Sequence, residues 1–177
     1  MTDISQTLPQ HVQSLINRYP LLASVQDDII RAYLLMERCY TNKGKLLIAG
    51  NGGSAADAEH IVGELMKGFK LSRTIDATFN KALLAIDPVK GKELSTKLQS
   101  CLPAMALHNH PSLNTAYLND MDGLLCFAQQ VYGYGEKEDI FLGISTSGNA
   151  GNVVYAAIVA KTKGMPVIGL DVYKRQG

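Results

Sequence analysis

Two short turns carry the side chains best suited to chemistry. The first is Gly50-Asn51-Gly52-Gly53-Ser54-Ala55. Its glycines permit positive φ and let a ligand reach the backbone. The N–H groups that open the following helix favour an anion. A plain strand-to-helix turn needs one glycine, and this one has three. The second turn is Ser145-Thr146-Ser147-Gly148-Asn149, three adjacent hydroxyls after an apolar run. Hydroxyls and backbone N–H groups at a helix start suit a phosphate monoester. Capping by one serine would leave two hydroxyls over. The surroundings are not the G-x-S-x-G elbow of a nucleophilic serine.

Downstream of the first turn, Asp57, His60 and Glu64 stand at i, i+3 and i+7 and share one helix face. His60 and Glu64 could bind a metal together, act as a proton-transfer pair, or belong to a solvated salt-bridging face. His108 and His110 flank Asn109 at a strand end, either as metal ligands or as a loop beside the site. Asn119-Asp120 reads as a loop, with a turn as its simplest role. The first turn also fits the dinucleotide pattern G-x-G-x-x-A. That fingerprint wants an acidic residue ending a second strand about 20 residues on. Asp76 has the distance, but the polar run before it is no buried strand. With no Walker lysine-serine pair either, no nucleotide cofactor is expected.

Strands and helices must aim these groups. Lys45-Leu-Leu-Ile-Ala49 is a continuous apolar run, the mark of a buried parallel strand. A helix over 55–69 follows, with Ser54 as cap, Asp57 as its box partner and Ala58, Ile61, Leu65 and Phe69 as its apolar stripe. Further strands are expected at 104–107, 140–144 and 167–170, and helices at 79–86, 92–102, 121–131 and 152–163. Pro88 and Gly91 are expected to separate the first two of those helices. The N-terminal part reads as two helices, 9–19 and 24–42, the second opened by Ser24 with Asp27. Apolar residues of that second helix spread over more than one face, as for packing against several elements or another subunit. Strands alternating with helices imply an α/β fold with a parallel sheet covered on both faces. Ligands then sit at the carboxyl ends of the strands, where both turns lie.

At 177 residues the chain can bury a sizeable core without disulfides or metals. Its 17 basic and 16 acidic residues give a net charge of +1, which removes the electrostatic case for direct nucleic-acid or anionic-membrane binding. The eight tyrosines are scattered and build no stacking platform for bases. Cys39, Cys101 and Cys126 have neither CxxC nor metal-site spacing and read as reduced thiols. The N-terminus lacks the pattern of a signal peptide, and no apolar run would span a bilayer. A soluble, cytoplasmic protein is expected.

The runs GNGGSAADAEHIVGEL and GISTSGNAGNV, in this order and separation, resemble the sugar isomerase (SIS) domain, and within it the phosphoheptose isomerases. Asn119-Asp120 and the KGMPVIGL strand also fit. The resemblance implies a three-layer, flavodoxin-like parallel sheet, a homotetramer, and interconversion of sedoheptulose 7-phosphate with a heptose 7-phosphate. It implies that Asn51, Gly52, Gly53 and Ser54 contact substrate, that Asn119 and Asp120 lie in the sugar site, and that Ser145, Thr146 and Ser147 hold the phosphate. Glu64 matches the proton-transferring carboxylate, with His60 beside it, and both match positions that ligate zinc in several members. It divides the chain into an N-terminal oligomerisation segment (1–44), a SIS domain (45–170) with an insertion at about 70–102, and an atypical tail (171–177).

Two departures follow from the same comparison. Ala150 stands where the family usually has a phosphate-touching serine. After Leu170 the family continues with a strand and a long helix bearing a glutamine and a histidine, whereas this chain continues Asp171-Val-Tyr-Lys-Arg-Gln-Gly177 and so reads as truncated. Retention of His60 and Glu64 favours an enzyme. The alternative is a non-catalytic SIS tetramer that binds a phosphosugar or the replication initiator DnaA.

Overall fold

A computed structural model describes residues 4–68 and 70–171. Phe69 and the tail beyond Asp171 lie outside the described residues. Four parallel strands, β1 (Leu46–Ala49), β2 (Ala104–Ala106), β3 (Ile140–Ile144) and β4 (Val167–Leu170), form one sheet in the order β2-β1-β3-β4. Leu46 pairs with both Ala104 and Ile140, and Ala49 pairs with Gly143. Every residue of β1 is buried, as its unbroken apolar run requires.

Helices cover both faces. On one, α2 (Gln26–Thr41) and α3 (Gly53–Met66) bring Cys39, Met36, Tyr40, Ala58 and Leu65 against Leu46, Ile48 and Ile140. On the other, α7 (Cys126–Tyr134) and α8 (Gly151–Thr162) bring Phe127, Val131, Val153, Ala156 and Ala160 against Leu47, Ala49 and Phe141. The result is the expected three-layer α/β arrangement. Among the described residues no helix is long and apolar enough to cross a membrane.

At the amino end of the sheet, one buried carboxylate ties β1 to β3. Asp139 Oδ1 accepts from the N–H of Lys45 (2.9 Å), and its Oδ2 accepts from the N–H of Glu136 (2.8 Å) and from Lys45 Nζ (2.5 Å). Its side chain is 3% exposed. The start of both central strands is thereby fixed, and with it the register of their far ends.

Several local expectations are corrected. α1 spans Ile4–Arg18 and carries Pro9 inside it. A 3-10 turn, Pro20–Val25, precedes α2, and Ser24 donates to Leu21 O rather than capping. α3 starts at Gly53 with Gly52 as its N-cap and no side-chain cap, so Ser54 is a buried first-turn residue and not the cap.

Two separate helices stand here as expected, but Asp87 alone divides them, not Pro88 and Gly91. Both lie in α5 (Pro88–Lys97), whose first turn is capped by Asp87, which accepts from Val89 and Lys90 N–H at 2.9 Å each. Proline is at home there because the first helical N–H has no partner to lose. Gly91 is buried because α5 folds back on α4 (Ala77–Ile86). A Cβ there would meet Leu83 O at 2.4 Å. Asn119-Asp120, expected as loop, falls within α6 (Pro111–Asp120).

Candidate functional site

The pairing of β1 with β3 puts the two turns side by side at the carboxyl edge of the sheet. Here the chain order reverses: β1 leads out to β2 on one side, and β3 to β4 on the other. A crevice at such a reversal is where ligands of open α/β sheets sit.

Gly52 sets the shape of the first turn. Its φ of +54° is a conformation that L side chains rarely adopt. A Cβ on Gly52 or Gly53 would meet nothing within 4 Å, so the space above both is open. Ser54 N and Ala55 N turn inward to Asn51 O and Gly52 O, both at 3.0 Å. The start of α3 thus has no side-chain cap, and the turn's own carbonyls take the N–H groups of Ser54 and Ala55.

The second turn is held by its own hydroxyls. Ser145 Oγ accepts from Ala150 N at 3.4 Å and lies 3.5 Å from Ser147 Oγ. Ser147 Oγ also accepts from Asn149 N at 3.3 Å. Gly148 turns the chain with φ +64°, and α8 begins behind Ala150 without a side-chain cap. Ser145 is half-buried, whereas Thr146 and Ser147 are exposed. These contacts are long for hydroxyl bonds and easily exchanged for those of an incoming anion.

A pair of side-chain amides joins the first turn to the start of α8. Asn51 Nδ2 donates to Asn152 Oδ1 at 2.9 Å, and Asn152 Nδ2 donates to Asn51 Oδ1 at 2.8 Å. Asn152 is not among the site residues expected from sequence. Its only signal there is a second carboxamide placed at the start of the helix behind the hydroxyl turn.

Glu64 lies further along α3. One carboxylate oxygen, Oε2, is buried without a hydrogen-bond partner. The other, Oε1, is 3.8 Å from His60 Nε2, beyond hydrogen-bond reach. The His60 side chain is 79% exposed and that of Glu64 34%. Arg73, also absent from the sequence expectations, caps the end of α3 through Leu65 O at 2.8 Å and Lys67 O at 2.5 Å. The donor pair of imidazole and carboxylate suits zinc. Among the described residues, no group of three His, Cys, Asp or Glu side chains could hold a metal ion.

His108 follows β2 after Leu107 and meets α3. Its Nε2 is 3.1 Å from Glu59 Oε1, and its Nδ1 is buried without a partner. His110 instead packs its ring on Tyr134, with centroids 5.8 Å apart, so the two histidines do not converge. Asn119 and Asp120 are not in a loop. They form the last turn of α6 and hydrogen-bond to each other at 2.6 Å. The helix rise carries them about 13 Å along α6 from its start beside His108.

The SIS domain family model matches residues 11–86 and 93–171. The chain belongs to the SIS domain family. The unmatched gap between the two segments is the turn and first residues of α5, within the stretch read as an insertion. The SIS chain is 38% identical to a phosphoheptose isomerase of Helicobacter pylori (strain P12) over 149 residues, covering 84% of this chain and 64% of the relative. It is 34% identical to one of Aneurinibacillus thermoaerophilus over 171 residues, covering 92% and 71%. The structure of a phosphoheptose isomerase from Francisella tularensis superposes with a TM-score of 0.68 at 27% identity, covering 97% of this chain and 76% of that one. That of phosphoheptose isomerase GmhA from Neisseria gonorrhoeae gives 0.64 at 29%, covering 95% and 72%. The chain spans between 52% and 71% of the length of curated relatives it matches.

Proposed function

We propose that the two turns bind a phosphosugar and that the protein interconverts its aldose and ketose forms, with sedoheptulose 7-phosphate and a heptose 7-phosphate as the pair. The observation that carries this reading is the coupling of the glycine turn to the helix start behind the hydroxyl turn, at the reversal of the sheet. It supports one ligand spanning both: a phosphate on Ser145, Thr146 and Ser147, and hydroxyls on Asn51 and the Gly52–Ser54 backbone. The names of the similar proteins agree with that chemistry.

Aldose–ketose exchange moves a proton between adjacent carbons through an enediol. Glu64 is the proposed base, a partly exposed carboxylate whose Oε1 lies 3.8 Å from His60 Nε2 and is not tied down by it. Phosphate binding on the second turn contributes remote binding energy that holds the reacting carbons in place. Where zinc is bound, His60 and Glu64 would hold it, and it would act as a Lewis acid toward the sugar oxygens. Asn119 and Asp120 would serve the sugar end only if α6 presented them to it. We place the protein in the cytoplasm as a homotetramer assembled through its N-terminal helices. The exposure of Tyr19 (50%), Leu21 (93%) and Leu34 (48%) supports such an assembly.

Turnover of sedoheptulose 7-phosphate, read as appearance of the aldose, tests the reading. Ser145→Ala and Ser147→Ala should raise KM, and Glu64→Gln should abolish turnover. Binding of the sugar phosphate with no turnover at any concentration would instead favour the non-catalytic phosphosugar-binding or DnaA-binding tetramer.

A further inference from the structure

We propose that Asn152 is a positioning residue, which fixes the plane of the Asn51 carboxamide and thereby the sugar-facing edge of the site. The inference rests on the phosphosugar reading for its ligand, but its geometry does not. The two amides are separated by 101 positions in the chain and exchange two hydrogen bonds, at 2.9 and 2.8 Å. Such a closed pair holds both amide groups in one orientation, unlike a single bond, about which an amide still swings.

Asn152 is the anchored partner. Its Oδ1 also accepts from Val153 N–H at 3.0 Å, in the first turn of α8, a donor it shares with Ala150 O at 3.0 Å. Flipping the Asn152 amide would set an NH2 against that N–H, so the helix start dictates which way the amide faces. Because the pair is reciprocal, the orientation of Asn51 follows. Asn51 has two N–H donors and two lone pairs. The pair uses one of each. One donor and one lone pair remain, on an exposed side chain above the glycine turn. Those two sites are what a sugar hydroxyl, itself donor and acceptor, can use. Without Asn152 the Asn51 amide must be ordered by the ligand itself, at a loss of side-chain entropy on binding.

The experiment compares wild type with Asn152→Ala, Asn51→Ala, the double variant and Asn152→Asp. Sedoheptulose 7-phosphate and inorganic phosphate are the calorimetric probes. Asn152→Ala should weaken the sugar phosphate about tenfold, the loss of roughly one well-placed hydrogen bond. Inorganic phosphate, which touches only the hydroxyl turn, should change by less than about twofold. In the Asn51→Ala background the Asn152→Ala change should add nothing, because Asn152 acts through Asn51. Asn152→Asp keeps the acceptor for Val153 but sets a second oxygen against Asn51 Oδ1, and should be as weak for the sugar as the alanine. Additive losses, or a parallel loss of inorganic phosphate, would mean that Asn152 merely supports the helix start, and the proposal would fall.

A ligand-free readout separates this from the functional reading. In ¹H–¹⁵N NMR the Asn51 side-chain amide should be ordered in wild type and mobile in Asn152→Ala, with backbone shifts of β1 and β3 unchanged. If wild type binds no sedoheptulose 7-phosphate, the phosphosugar reading fails while this spectrum still decides the positioning role. An Asn51 amide equally ordered in both proteins overturns it.

Discussion

Replacing Asp139 by alanine should be among the most destabilising single changes outside the apolar core. The Asp139 side chain is 3% exposed and accepts from two backbone N–H groups, those of Lys45 and Glu136. Each buried donor left without a partner costs about 1–3 kcal/mol. The Lys45 ammonium contributes less, because its side chain is 31% exposed and rehydrates when the partner is lost. Two orphaned donors dominate, so the expected loss is about 3–5 kcal/mol, equivalent to roughly 6–20 °C in Tm for a chain of this size. Lys45→Met, which leaves both backbone bonds in place, should cost less than half as much. Urea unfolding at pH 7, with the slope m checked for constancy, measures both. A loss below about 1 kcal/mol for Asp139→Ala, or equal losses for the two variants, would refute the reasoning.

Three further outcomes are expected. Ala150 is the N-cap of α8 and offers no side-chain acceptor, so Ala150→Ser should add about 1 kcal/mol of stability in the same urea titration; no gain would mean the hydroxyl does not reach the helix N–H groups. Burial pushes the Tyr40 hydroxyl up to about 12, with the neighbouring Cys39 adding to the rise and Arg73 opposing it. The neutral phenol is the favoured folded form, so its contribution is intact below pH 10 and is lost as pH rises toward 12. Tyr40→Phe should therefore lose less stability than wild type between those limits, while at pH 7 it should cost little because the hydroxyl has no partner; identical pH profiles would contradict this. Cys101 is exposed whereas Cys39 and Cys126 are buried with thiols raised by that burial. Iodoacetamide should label Cys101 first in the native protein, and peptide mapping that finds Cys39 labelled as fast would count against the packing of α2 on the sheet.

The strands and the two turns are legible in the sequence because a short apolar run without helical periodicity, ended by small polar residues, fits a buried strand and little else. β1, β3 and β4 lie where such runs occur. Helix starts are less legible for a specific reason. Ser24 and Ser54 carry the right side chain for a cap, but the backbone begins each helix elsewhere: after a 3-10 turn in α2, and just after a glycine with positive φ in α3. Pro88 and Gly91 mislead because proline fits a first helical turn and glycine fits a close helix contact as well as either fits a break. The site is legible as residue types and not as contacts. Nothing in the spacing of Asn51 and Asn152 reveals a pairing across 101 positions, nor that Glu59 meets His108.

The central claim is that Glu64 moves a proton on a sugar phosphate held by the two turns. Its most direct measurement is deuterium exchange: sedoheptulose 7-phosphate incubated with the protein in D2O and followed by ¹H NMR. The account predicts exchange at the carbon beside the carbonyl, aldose formation in the same sample, and loss of both in Glu64→Gln with sugar-phosphate binding retained. Binding by wild type without exchange, or exchange that survives Glu64→Gln, would contradict it.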